Sequence, residues 1–400
     1  MPFPSYCTSF ADLVLPKELD FPIAEYHRRL QAVHDAMAAR GLDLVIIGAI
    51  ADICWLTGFQ TPSAGTFAAL LVPSGRAPVL HAIDHEYACA AYTSWLTDIR
   101  TFAWYEPDTG ERQHVAMIAE LLPAKGTLAI DGKAPIGRER LTTLIGRDRP
   151  GLVIGDASGV VTQIRRVKSP LEIAAMCESG RISRVALADT IAALRSGMTD
   201  SDIAAILHQR VIAEGAEFSS MGPFVATGLR SSLIHTTWKR RPIERGDLIF
   251  LEVGPAYKRY NAPMMRTAVI GPPSRLAERL TAAVEDTVHR LLTTIRAGRT
   301  GHDIAIEAAK GFAPVRDEIF FQGAFGYTVG LALPPDWAEG STPFIAEGIH
   351  EPMVAGMTLH LPVAARVVGQ GGVALSETIL VTDQGCESLT APTRALAVVA

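Results

Sequence analysis

The 400-residue chain has few cysteines: Cys7, Cys54, Cys89, Cys177 and Cys386, five in all, with no Cys-x-x-Cys pair among them. An odd, scattered set of this kind argues against a disulfide framework and against a thiolate metal site. Charge is also sparse. Asp, Glu, Lys and Arg make up 20%, 37 basic against 42 acidic residues leave a net charge of −5, and neither sign forms a run of five. Nucleic acid and anionic membrane surfaces are therefore not the expected partners. Long apolar runs are missing too. Stretches such as Leu44–Ile50 and Phe67–Val72 are short and bounded by Gly, Asp or Pro, far below the ~20 residues that span a bilayer. The opening Met-Pro-Phe-Pro-Ser has no basic segment leading into an apolar one and does not read as a secretory signal, so a cytoplasmic location is expected.

What the chain does have is apolar material. At 48% hydrophobic residues it can fill sizeable cores, and 400 residues predict two or three compact units at roughly 100–200 residues each. The first part reads as α/β. A helix is expected over Ala24–Arg40 with Gly41 just past its end, followed by a buried strand at Leu44–Ile47 and a strand pair, Phe67–Val72 and Ala77–His81, around Pro73-Ser74-Gly75. Strands at Leu128–Ile130 and Val153–Ile154 with a helix between them extend the alternation and favour a mostly parallel sheet. A boundary falls near Ile164–Pro170. There Ser169, Pro170 and Glu172 occupy the N-cap, first and third positions of a new helix, giving domains at 1–163 and 164–400.

The second part contains an internal repeat. Leu194-Arg-Ser-Gly197-Met-Thr199-Asp-Ser-Asp202-Ile203-Ala204 matches Ile295-Arg-Ala-Gly298-Arg-Thr300-Gly-His-Asp303-Ile304-Ala305 at an offset of 101 residues (303 − 202). In each copy a helix closes on Gly and the next opens on a Thr cap with Asp three residues later. Two similar helix–helix turns could arise by coincidence. The alternative is a duplicated unit whose strands, among them Leu248–Val253, Met265–Ile270 and Thr378–Val381, fold together with pseudo-two-fold symmetry.

These features resemble the "pita-bread" family of creatinase, aminopeptidase P, prolidase and methionine aminopeptidase. The resemblance rests on the linker Arg166-Val-Lys168-Ser169-Pro170-Leu-Glu172-Ile173, the two Gly-x-Thr-x-x-Asp-Ile turns, Ile234-His235, Gly246-Asp247 through Glu252-Val-Gly254 and Arg266-Thr267, and Glu377 through Gly385. Trp55-Leu56-Thr57-Gly58-Phe59 resembles a segment of the family's N-terminal domain. The implied fold is α/β (α+β): a creatinase-like N-terminal α/β domain followed by a pita-bread domain with internal pseudo-two-fold duplication. The resemblance also implies a homodimer.

Peptidases of this family hold two metal ions with two Asp, one His and two Glu. Carried onto this chain, those positions fall at Glu252, Pro263, Tyr327, Pro362, and Ser376 or Glu377. A dinuclear site needs several carboxylates and an imidazole converging on the ions, and proline supplies no ligand. The resemblance therefore implies the metal-free branch that includes creatinase and ectoine hydrolase, with no cofactor and a small molecule as substrate. Creatinase carries its acidic residue at the position of Pro263, so Glu252 points toward the ectoine-hydrolase-like pattern.

On this reading Glu252 and His235 are the expected catalytic pair. Leu248, Phe250 and Glu252 share one face of a strand, and a carboxyl among apolar neighbours has its charged form disfavoured. The alternative for Glu252 is an ion pair with Arg266 across the hairpin. His235, at the end of an apolar strand-like segment, is suited to proton transfer near neutrality. Glu377 is a third catalytic candidate. Tyr327, His360, Arg266, Tyr260 and Trp337, with Arg259, are candidates for contact with substrate. Two rival readings remain: an Xaa-Pro metallopeptidase with an aberrant ligand set, and a non-catalytic pita-bread binding module.

Overall fold

A computed structural model describes residues 16–61, 66–122, 124–146, 149–340, 343–390 and 394–400. The opening five residues and Cys7 lie outside this set. The chain forms two compact units that part between Arg165 and Arg166, two residues beyond the expected boundary.

The first unit opens with α1 (Ile23–Ala39), β1 (Leu44–Ile47) and α2 (Ile50–Thr57). Gly41, at φ +63, takes the left-handed conformation that the end of α1 requires. After β2 (Ala68–Pro73), β3 (Val79–Ile83) and β4 (Ile99–Phe102) come α3 (Pro107–Leu121), β5 (Gly126–Ile130), α4 (Arg138–Gly146) and β6 (Leu152–Asp156). The six strands make one sheet in the order β4-β3-β2-β1-β5-β6. It is mostly parallel, as expected, with one reversed strand: β2 runs antiparallel to both β1 and β3, and the other pairings are parallel. The reversal between β2 and β3 follows from the tight Pro73-Ser74-Gly75 turn, since so short a connection can only join antiparallel neighbours.

In the second unit α5 (Pro170–Ala192) starts on the expected reciprocal cap. The Ser169 hydroxyl accepts from the Glu172 amide and the Glu172 carboxylate accepts from the Ser169 amide. Ser169→Ala is expected to lower stability by about 1 kcal/mol, read as the midpoint of a urea titration.

The repeat is built as a duplication. Gly197 and Gly298 have φ of +87 and +83, and the hydroxyls of Thr199 and Thr300 accept from the Asp202 and Asp303 amides to start α6 (Asp200–Ala213) and, after α7 (Arg275–Thr294), α8 (Gly301–Ala309). The likeness continues at a second offset of 110 (352 − 242). Thr199 bridges Pro242 while Thr300 bridges Pro352. The next amides, Ile243 and Met353, donate to Met198 and Arg299. Gly246 and Gly356, at φ +94 and +90, then lead into the central strands.

Each half contributes a sheet. β7 (Phe224–Thr227), β8 (Leu248–Val253) and β9 (Met264–Ile270), with Ala397–Val399, form one. β10 (Ala324–Thr328), β11 (Thr358–Val367) and β12 (Gly371–Val381), with Ile345–Ala346 and Cys386–Ser388, form the other. Leu251 and Met264 pack with α5 and α6, whereas Leu361, Val363 and Leu375 pack with α7 and α8. The opposite faces of the two sheets meet. The Met265 amide donates to the Ser376 hydroxyl at 2.6 Å, and Thr267 both donates to and accepts from the Ala374 backbone. Among the described residues no helix is long and apolar enough to cross a membrane.

Candidate active site

Because side chains alternate along a strand, the faces turned away from the helices carry Phe250 and Glu252 on β8, Met265 on β9, His360, Pro362, Ala364 and Arg366 on β11, and Ala374 and Ser376 on β12. Part of these faces borders a cavity of about 320 Å³. Its wall includes Glu252, His235, Tyr327 and Trp337, together with Phe224, Phe250, Met265, Pro362 and Arg366.

Glu252 is 5% exposed and forms no hydrogen bond or ion pair with any described residue. Burial raises its pKa to about 8, against a smaller opposing pull from the Arg366 charge. Phe224 stands directly across from Glu252 in the β7–β8 register, and the His235 imidazole stacks on the Phe224 ring at 5.7 Å. His235 is exposed and lies beyond a short 3₁₀ turn rather than on a strand, with φ at +53. This left-handed conformation is uncommon for a residue with a side chain and is found more often at functional sites than elsewhere.

Behind the cavity a chain of hydrogen bonds fixes one proton arrangement. The Ser376 hydroxyl accepts from the Met265 amide and lies 2.7 Å from His360 Nε2, its other partner. Its own hydrogen therefore goes to Nε2. Burial holds His360 neutral, with a pKa lowered to about 3, so the single ring proton is on Nδ1, which lies 2.8 Å from the Tyr327 oxygen. That oxygen also accepts from the Trp337 indole at 2.8 Å. The reverse arrangement would leave the buried Ser376 hydroxyl hydrogen without an acceptor, at a cost of roughly 1–3 kcal/mol. The Tyr327 hydrogen is thus left to point into the cavity. Burial and the neighbouring Glu252 carboxyl push this phenol's pKa well up, so it stays a donor.

Four expected site residues lie elsewhere. Glu377 is fully buried on the other face of β12, where it accepts from Arg266 at 2.9 Å and from the hydroxyls of Ser388 and Thr390. Arg266 follows from the same alternation: Leu251 stands opposite it and Met265 stands opposite Glu252, so the Glu252–Arg266 pair weighed as the alternative does not form. Tyr260 is buried with its hydroxyl donated to Glu172 at 2.8 Å, which ties it to the cap of α5. Arg259 pairs with Glu217. His360 lies one step behind the wall.

The sequence alone does not single out Arg366, although stepping by two along the strand from Pro362 reaches it. Of the positions compared with the metal ligands, Glu252, Tyr327 and Pro362 line the cavity, and Ser376 rather than Glu377 shares their face. Across from Glu252 stands Met265, while the Pro263 carbonyl accepts from Thr378.

A duplicated helix–sheet unit with its cavity between two sheets, preceded by a separate α/β unit, is the architecture of pita-bread hydrolases. Residues 174–383 match the model of metallopeptidase family M24 and residues 29–167 that of the creatinase/prolidase N-terminal domain. The chain belongs to metallopeptidase family M24. It is 28% identical over 398 residues to ectoine hydrolase of Halomonas elongata, covering 93% of this chain and 96% of that one. It is 24% identical over 368 residues to Xaa-Pro dipeptidase of Pyrococcus furiosus, covering 92% and 99%. The structure of dipeptidase PepE from Mycobacterium ulcerans superimposes with a TM-score of 0.80 at 23% identity over 95% of this chain and 99% of that one.

The family's name implies metal ions, but the side chains here do not fit them. Among the described residues no three His, Cys, Asp or Glu side chains converge. Glu252 is the single carboxylate at the positions compared, beside a phenol, a proline and a serine already bonded to His360. Such a set offers too few hard, anionic oxygens for a pair of divalent cations.

Proposed function

We propose that the protein is a hydrolase that cleaves a non-peptide C–N bond in a small zwitterionic compound, a cyclic amidine such as ectoine or a guanidino acid such as creatine, without a metal ion. The observation that carries this reading is the lone Glu252 carboxyl, buried without a partner on the cavity wall beside His235. The likeness to ectoine hydrolase along nearly the whole chain supports it.

A cationic amidinium or guanidinium beside Glu252 favours the ionised carboxylate. The carboxylate either attacks the carbon between the nitrogens or takes a proton from a water that does so. As the C–N bond breaks, its electron pair passes to the departing nitrogen, which receives a proton from His235. Water supplies the oxygen that remains on carbon. The Tyr327 hydroxyl offers a fixed hydrogen bond to the ligand throughout.

Dialysis of the purified protein against a chelator, followed by assay of ectoine and creatine hydrolysis, tests the proposal. Activity is expected to survive unchanged, with elemental analysis finding no bound metal. Two tightly held ions per chain, with activity lost on chelation and turnover of Xaa-Pro dipeptides, would instead establish a metallopeptidase.

A further inference from the structure

Among the described residues Arg366 differs from the other buried cations. Arg29 pairs with Glu25, Lys168 with Glu339 and Arg266 with Glu377, and Arg165 and Arg259 likewise have carboxylate partners. Arg366 is equally buried, at 4% exposure, yet no carboxylate of a described residue comes within ion-pair distance and its side chain makes no hydrogen bond to any of them. Its guanidinium carbon stands over the face of Phe250, 5.7 Å from the ring centre. Guanidinium does not lose its proton in proteins, so the charge stays.

The fold makes room for this side chain. Gly372 stands opposite Arg366 in the β11–β12 register, and a Cβ on it would lie 2.9 Å from Arg366 Cγ and 2.5 Å from the Ser231 carbonyl oxygen. The guanidinium ends on the wall of the cavity. Glu252 is the acid whose charge reaches it, and Glu252 is mostly protonated at neutral pH. The cavity wall therefore carries a positive charge with no carboxylate partner among the described residues, and a flat, forked donor suited to a carboxylate.

We infer that Arg366 anchors a carboxylate of the ligand, so that the ligand spans the cavity with its anionic end at Arg366 and its cationic nitrogen group toward Glu252. This deepens the proposed function by assigning one end of a zwitterion to a residue. A buried charge held without a partner costs stability and is explained when a ligand completes it.

The test uses sodium acetate as probe, with sodium chloride at matched ionic strength as control, and thermal unfolding of the full chain as readout. Acetate in about tenfold excess over its dissociation constant is expected to raise the wild-type midpoint by roughly 2–4 °C beyond chloride and to leave Arg366→Met unmoved. Without acetate, Arg366→Met is expected to unfold at or above the wild-type midpoint, since it removes an unpaired buried charge. Arg366→Lys should restore part of the acetate response. Acetate stabilising wild type and Arg366→Met equally, or neither, would overturn the assignment, as would a markedly lower midpoint for unliganded Arg366→Met. A wild type that responds to acetate but hydrolyses neither ectoine nor creatine would sink the proposed reaction and leave the anchor standing.

Discussion

Glu252→Gln is expected to lower kcat/KM for the hydrolysed compound by about 10²- to 10⁴-fold, the range for losing a positioned proton-transfer group, and by more if the carboxylate is the attacking atom. In the wild-type enzyme kcat/KM should climb as pH rises toward about 8, because the reaction needs the ionised carboxylate and burial holds the free enzyme's carboxyl protonated below that point. The same substitution should make the protein more stable. Between the ordinary value of 4.5 and about 8 the unfolded chain has released this proton while the folded chain retains it. Stability contributed by this group therefore falls as pH rises through the window, by at most about 1.4 kcal/mol per unit. Glutamine removes the slope. Urea titrations at pH 5 and pH 8 should show the stability advantage of Glu252→Gln over the wild type growing with pH. Unchanged kcat/KM in Glu252→Gln would end the proposed mechanism.

Glu377→Ala is expected to destabilise the fold by about 3–5 kcal/mol, because it strands the Arg266 guanidinium in the interior without its carboxylate. Two hydroxyls, Ser388 and Thr390, lose their acceptor in the same step. The double replacement Arg266→Met with Glu377→Leu should recover much of the loss, since replacing both members leaves no orphaned charge. Urea midpoints of the single and double variants measure this. If Glu377→Ala kept wild-type stability while hydrolysis vanished, Glu377 would have to act on the ligand rather than on Arg266.

Much of the scaffold is legible in the order of residues alone. Ser169-Pro170-x-Glu172 and the paired Gly-x-Thr turns encode their conformations within a few residues, so local chemistry reveals them. Glu252 is recognisable for a similar reason: a strand alternates sides, and an acid among Leu, Ile and Phe marks itself.

What stays hidden depends on register between distant strands. Whether Ser376 or Glu377 faces the cavity is a one-residue question settled by pairing Pro362 with Ser376. Arg266 and Glu377 look like two polar residues available to a ligand until the fold turns both to the other side, where they satisfy each other. Tyr260 depends on Glu172, a helix cap that local sequence cannot connect to it. Arg366 escapes notice because an unpaired cation is defined by the partners it lacks, and these are known only when all its neighbours are.

The seam at Met265, Thr267, Ala374 and Ser376 has a consequence for Glu252. β8 brings Glu252 from the first half, while β10 and β11 bring Tyr327, His360 and Arg366 from the second. The wall around the acid is built from both halves. The dry surroundings that tune Glu252 are thus a joint product of the two halves, and a substitution that loosens the seam acts on the acid's charge as well as on stability.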